Sequence, residues 1–377
     1  MMSLRPSITA LLGCWMLVLS LSGCGWFGGG KAKPGWVEGT SADYPPAQYL
    51  IGVGQADNRN AAADQAYAAV ARIFKAEVAA QAKDWESYLV VENRGSADHE
   101  RRLTLDSVTK VSTDKILENV RILDNWYDLR KGLHYALAAM HRPQAEASLM
   151  ERITTLDRTV EADVRDARQA SDKLLKVRNL RRAARNLVLR EAYNADLRVV
   201  RPSGQGLLPP YRVNELTNEL EQFLAANLAL AVQVSGDHAE PIQRALSEGL
   251  IREGLYVASG TVGPEGAAPE LVVRGTVRLW PIEVRDPQFK YVRWCSDFEV
   301  VEPASQRVVG AVSRGGKEGH LTEREATAKA LRVIQKEFST DLARAVAAHI
   351  YGEADLPQAA DPPAGCPRDD PSMRPIR

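Results

Sequence analysis

The 377-residue chain has no charge imbalance, no long apolar run and few cysteines, histidines or aromatic residues. Lys plus Arg and Asp plus Glu each number 48, so the formal net charge is zero. That balance excludes a dedicated nucleic-acid binder, whose broad basic surface would need excess positive charge. A mean hydropathy of -0.27 excludes a polytopic membrane protein. The one extended apolar run, Ile8 to Leu21, is shorter than the roughly 20 residues a spanning helix needs. His99, His134, His141, His238, His320 and His349 form no His-x-x-x-His pair and have no neighbouring cysteine, so no metal site is visible. There is no Gly-x-Ser-x-Gly elbow either, and no motif surrounds Cys295 or Cys366. The expectation is a non-enzyme without a cofactor. With 45% hydrophobic and 25% charged residues, the chain nevertheless carries enough apolar material for a core and more than one domain.

Arg5, the apolar run and the small residues after it follow the order of a secretory signal peptide, placed at 1–23. Leu21-Ser22-Gly23-Cys24 resembles the bacterial lipobox. The resemblance implies that a signal peptidase recognises Leu21, Ser22 and Gly23 and cuts before Cys24. The new N-terminal cysteine then carries lipid, palmitate included, on its sulfur and amine. Leu12-Gly13-Cys14 lies inside the apolar stretch and reads as filler. Each buried CH₂ contributes about 0.8 kcal/mol, so several acyl chains anchor where one would not. Gly25 stands where inner-membrane-retained lipoproteins of enteric bacteria typically have Asp. The resemblance therefore implies an outer-membrane anchor with the body facing the periplasm. In that oxidising compartment Cys295 and Cys366 can pair, although a bridge to the Pro-rich tail is not expected to organise the fold.

Glycines and lysines without periodicity make 24–33 a flexible, lipidated tether. Order is expected from Pro34-Gly35-Trp36. Tyr49-Leu50-Ile51-Gly52-Val53-Gly54 reads as a strand, and Asn58 caps a helix with Ala62, Ala66, Ala69, Val70, Ile73 and Val78 on one narrow face. Strands follow near 88–91, 119–126 and 133–140, giving an α+β domain over 34–142. His134 and His141, an odd step apart, fall on opposite strand faces. Leu149, Ile153, Leu156, Val160 and Val164, then Val177, Leu180, Ala184 and Leu187, predict a long helical hairpin over 143–200 turning at Ala170-Ser171-Asp172. Its second arm carries Arg178, Arg181, Arg182, Arg185 and Arg190. Two readings stand: a patch for an anionic partner, or a face paired with acidic residues of the first arm.

Pro202 to Pro210 marks a boundary, and a second α+β domain is expected over 211–351. Helices at 215–226 and 241–251, strands at 229–234, 271–284, 291–301 and 307–313, and a final helix capped by Thr322 and Glu325 compose it. Trp280 and Trp294, in adjacent strands, are either core or a docking surface. Prolines and mixed charge make 352–377 a disordered tail. The fold class is thus α+β, with two small domains of helices on mostly antiparallel sheets joined by a helical hairpin. Two nucleotide-like fragments fail where their chemistry matters. Asp57 occupies the third glycine position after Gly52-Val53-Gly54, where turn-permissive glycines explain the pattern better. Glu318 replaces the Mg²⁺-binding Ser/Thr after Gly316-Lys317.

Behind the lipobox, Pro34-Gly35-Trp36, the Ile51-Gly52-Val53-Gly54 strand and the Ala-rich helix occur in the order found in the LPP20 family of bacterial lipoproteins. The resemblance covers about 34–140. Ala245 to Gly254 and Leu271-Val272-Val273-Arg274-Gly275 are similar to the N-terminal domain of TolB and related modules. The same pairing occurs in the flagellar assembly protein FlgT, from which the long helical insertion departs. What these resemblances imply is a non-catalytic binding or assembly module of the cell envelope. It would be held to the membrane through lipid, with an envelope protein or cell-wall polymer as partner and no nucleic acid. Two readings of other classes stand beside it: an envelope enzyme acting on cell-wall or lipid substrates in an interdomain groove, and a self-associating structural stalk.

Overall fold

The computed structural model describes residues 32–85, 107–110, 114, 117–258, 269–286 and 288–367. The signal segment, the lipobox with Cys24, most of the tether and the strand expected at 88–91 lie outside the described residues. The chain divides into two compact units, one of residues 1–70 and 120–141, the other of 71–119 and 142–377.

In the first unit, β1 (Tyr49–Ala56), β2 (Val120–Asp128) and β3 (Leu133–His141) form an antiparallel sheet in the order β1-β3-β2. Helix α1 (Arg59–Gln81) begins where Asn58 accepts a hydrogen bond from the Ala61 amide at 2.9 Å. Period-two alternation gives the sheet two unlike faces. Gly52 and Gly54 pair with Ala138 and Ala136, a patch of small residues. A Cβ at Gly52 would lie 2.7 Å from the Ala66 carbonyl oxygen, and one at Gly54 would run into the backbone of Ala62 and Ala66. The glycines thus serve a close helix approach within a strand, not the turn expected of them. The alternate residues, Ile51, Val53, Tyr135 and Leu137, pack with Trp36. The buried stripe of α1 steps by four through Ala62, Ala66, Val70, Phe74 and Val78. Phe74 therefore takes the inward place expected for Ile73, which is 39% exposed.

The second unit is built on α2 (Arg142–Gln169) and α3 (Lys173–Val200), an antiparallel pair. At the turn, Asp172 accepts from the amides of Leu174 and Leu175 at 2.8 and 3.2 Å. Helix α4 (Val213–Asn227) follows, then a sheet of β4 (Ala229–Gly236), β5 (Tyr256–Val257), β6 (Leu271–Ile282), β7 (Lys290–Glu302) and β8 (Arg307–His320). Its order is β5-β4-β6-β7-β8, with β4 parallel to both neighbours and the rest antiparallel. Helices α5 (Ala239–Arg252), α6 (Glu323–Glu337) and α7 (Ala343–Tyr351) cover one face, with a π-helical turn at Phe338–Leu342. Val292, Trp294, Phe298 and Val300 of β7 point into this core, together with Ile242, Leu246, Ile334 and Phe338. Trp294 is core, whereas Trp280 is half-buried. Gly316 is a strand residue whose lost Cβ makes room for the Trp294 ring.

Two features differ from the sequence expectation. The hairpin is no free-standing joint: Ala167, Val177 and Leu180 belong to the same core as the five-stranded sheet. Helix α3 also buries polar residues, among them Asn179, Arg190, Asn194 and Asp196. The tail is likewise ordered as far as the described residues extend, to Pro367. The Ala311 amide of edge strand β8 donates to the Pro357 carbonyl at 2.7 Å, and Leu356 packs over Gly310. Cys366 is disulfide-bonded to Cys295 with Cα atoms 5.8 Å apart. Composition predicted disorder because the proline-rich segment has no core of its own; it is held instead by a neighbour's edge, a covalent bond and two arginines.

Candidate functional site

The run of arginines on α3 does not form an open anion-binding patch. The Arg181 guanidinium is nearly buried, with Nε 2.7 Å from Glu353 Oε1 and its carbon 3.9 Å from the Tyr351 ring centre. Arg178 donates from Nη2 to the His349 carbonyl at 2.8 Å, capping the end of α7. Arg182 donates to Asp163 Oδ1 at 2.7 Å and to Asn179 Oδ1 at 2.7 Å, so it pairs with the first arm. Arg185, the fourth of these candidates, lies on the exposed side of the helix. Arg190 is fully buried, donating to Asp157, Glu191 and the carbonyls of Leu207 and Leu208. Helical spacing put the five on one arm; it does not reveal that Arg178, Arg181, Arg182 and Arg190 each meet a different acceptor within the protein.

The sequence reading missed the groups that meet them: His349, Tyr351 and Glu353. His349 Nδ1 accepts from the Leu356 amide at 3.2 Å. Burial lowers the imidazole pKa from its ordinary value, and the nearby Arg178 charge adds to this, against a smaller opposing pull from Asp355. The ring is therefore neutral and an acceptor near pH 7. The only sequence signal was a helix-ending Gly352, with φ of 74°, followed by two acidic residues within reach of a basic arm.

In the first unit, a groove of about 640 Å³ is lined by Pro34, Trp36, residues 39–44, Pro46 and Asp124. The Trp36 indole donates to Asp124 Oδ2 at 2.8 Å, and Asp124 Oδ1 accepts the Asn125 amide at 2.7 Å. Both carboxylate oxygens are therefore engaged in holding the wall. Tyr44 stacks edge-on against Tyr49 at 5.4 Å. Its hydroxyl pKa is pushed up by burial first, then by the charges of Asp124 and Asp43. It stays protonated and able to donate. A smaller, polar cavity of about 340 Å³ in the second unit is lined by Arg244, Glu248, Arg252, Lys336 and Ser339, among others. Among the described residues, no cluster of three or more His, Cys, Asp or Glu is arranged to hold a metal, and no helix is long and apolar enough to cross a membrane. These surfaces offer hydrogen bonds and aromatic edges, which is the chemistry of recognition.

A sheet of small residues under an alanine-rich helix, with Trp36 on its far side, defines a compact α+β module. Residues 34–141 match the family of LPP20 lipoproteins. Comparison with curated proteins finds no matching sequence. Among solved structures, a secreted protein of Helicobacter pylori is similar over 79% of this chain and 97% of its own, at 13% identity and a TM-score of 0.38. A minor lipoprotein of Acinetobacter baumannii is similar over 34% of this chain and 93% of its own, at 10% identity and a TM-score of 0.25. The rare lipoprotein B of Shewanella oneidensis is similar over 33% and 92%, at 14% identity and a TM-score of 0.22.

Proposed function

We propose that the protein is a lipid-anchored envelope lipoprotein whose body is a non-catalytic binding or assembly module facing the periplasm from the outer membrane. The observation that carries this reading is the sequence Leu21-Ser22-Gly23-Cys24, followed after a glycine-rich stretch by a module matching LPP20 lipoproteins. Lipid on Cys24 confines the body to a thin layer beside the membrane, and the tether lets it reach. Confinement raises effective concentration, so modest intrinsic affinity for an envelope protein or cell-wall polymer suffices. The groove beside Trp36, with its aromatic edges and fixed carboxylate, is the recognition surface this reading favours.

Photo-crosslinking in the native envelope tests the proposal, with the probe placed at the exposed Ala42 on the rim of that groove. The wild type is expected to give discrete adducts. Cys24→Ala, exported in soluble form, is expected to lose most of them while keeping its circular dichroism spectrum. Equal adduct yields from both proteins would overturn the tethering mechanism.

A further inference from the structure

We propose that residues 353–367 form a disulfide-latched strap that blocks the edge of β8 and part of the open face of the five-stranded sheet, and that thiol–disulfide exchange releases it. The edge comes first. Strand β8 ends the sheet, so its outward amides and carbonyls are free to pair with any extended chain. The strap answers this in cis: the Ala311 amide donates to Pro357 at 2.7 Å.

Beyond Pro357 the strap reaches the face away from the helices. Trp294 and Val292 of β7 point into the helix-covered core, so Arg293 and Cys295, one step out of phase, point the other way. Gly315 lies directly across from Cys295. A Cβ there would stand 2.8 Å from the Cys366 sulfur and 3.3 Å from Pro363. Arg293 donates from Nη1 to the Ala364 carbonyl at 3.3 Å, and Gly365, with φ of 84°, leaves room for that guanidinium. Glycines at 310, 315 and 365 thus each make space for the strap or its partner, as a built-in seat would require.

The two cysteines are unequally exposed. Cys295 is 2% exposed, whereas Cys366 is partly open to solvent. A dithiol reductant, small or a carrier protein, attacks Cys366 Sγ as its thiolate. The Cys295–Cys366 bond breaks, and Cys295 leaves as a thiolate and takes up a proton. The reductant's second thiol then attacks the mixed disulfide, freeing Cys366 as a thiolate that is also protonated. Two electrons pass to the protein and the reductant ends as its own disulfide. What then holds the strap is the Ala311–Pro357 ladder bond, the long Arg293–Ala364 hydrogen bond, the packing of Leu356 and the contacts at its root from Arg181, Arg178 and His349.

Hydrogen exchange read by mass spectrometry on the full-length protein, oxidised and after dithiothreitol, tests this, with alkylation reporting complete reduction. Exchange in 353–367 and in the β8 segment 308–316 is expected to rise at least tenfold on reduction, while 142–200 is unchanged. Cys366→Ser is expected to behave as the reduced form without any reductant. Unchanged protection of strap and β8 after complete reduction would overturn the proposal. So would loss of protection across the whole second unit, which would make the bond a staple of the fold and not a latch.

Discussion

Arg190 shows how much one side chain has to satisfy when a charged helix is enclosed. Its guanidinium is 0% exposed and donates to two carboxylates and two loop carbonyls. Arg190→Ala leaves Asp157 and Glu191 without their cation, a loss of about 3–5 kcal/mol for broken buried pairs. Urea unfolding of the variant measures it; a change below about 0.5 kcal/mol would refute the assignment. His349 makes a pH prediction. Its folded-state pKa is lowered by burial from an unfolded value near 6.5, so the unfolded chain binds the proton more readily. The stabilisation is whole above that value and is lost as pH falls from about 6.5 through the lower folded pKa. The groups facing the ring are Arg178 from α3, Asp355 and Leu356 from the strap, and the backbone of β8 at Val309. Protection of the amides in 353–357, taken relative to their intrinsic exchange rates, is expected to fall between pH 7 and 5, and His349→Gln is expected to flatten that dependence. An unchanged profile in the variant would place the titrating group elsewhere.

Among the elements, β1 and α1 were largely legible in the sequence because their pattern is local. Asn58 capped the helix and alanines marked its narrow face, while Gly52 and Gly54 read as turn residues. Their role became visible only with the sheet in place, where Ala136 and Ala138 of β3 lie beside them and the backbone of α1 at Ala62 and Ala66 sits against the glycines. Gly54→Ala is expected to cost at least ~1–3 kcal/mol, as an overpacked contact does, or to prevent folding of the first unit. Asp64→Ala, on the exposed side of the same helix, should change little. Comparable thermal midpoints for the two variants would contradict the close-approach account. Helices α2 and α3 were legible as periodic segments, but their place was not. Periodicity reports one buried face, and α3 is buried on several. The arginine arm was likewise readable as charge and unreadable as a clamp, because its partners Tyr351 and Glu353 lie some 170 residues away.

For the whole molecule, the composition left one undersized apolar run, Ile8 to Leu21, as the segment on which the proposed localisation rests. The tail shows the converse error of composition: Pro-rich and polar, it is nevertheless seated by glycines, an edge strand and a disulfide. No single segment predicts that, since each partner is distant in sequence. Under the proposed function, Cys24 carries lipid and this lipid holds the body at the membrane. Metabolic labelling with a palmitate analogue in a lipoprotein-processing bacterium, followed by membrane fractionation, measures it directly. The wild type is predicted to incorporate label and sediment with outer membranes, and Cys24→Ala to be unlabelled and soluble. Label retained in Cys24→Ala, or a wild type that remains unlabelled, would rule out lipidation at Cys24.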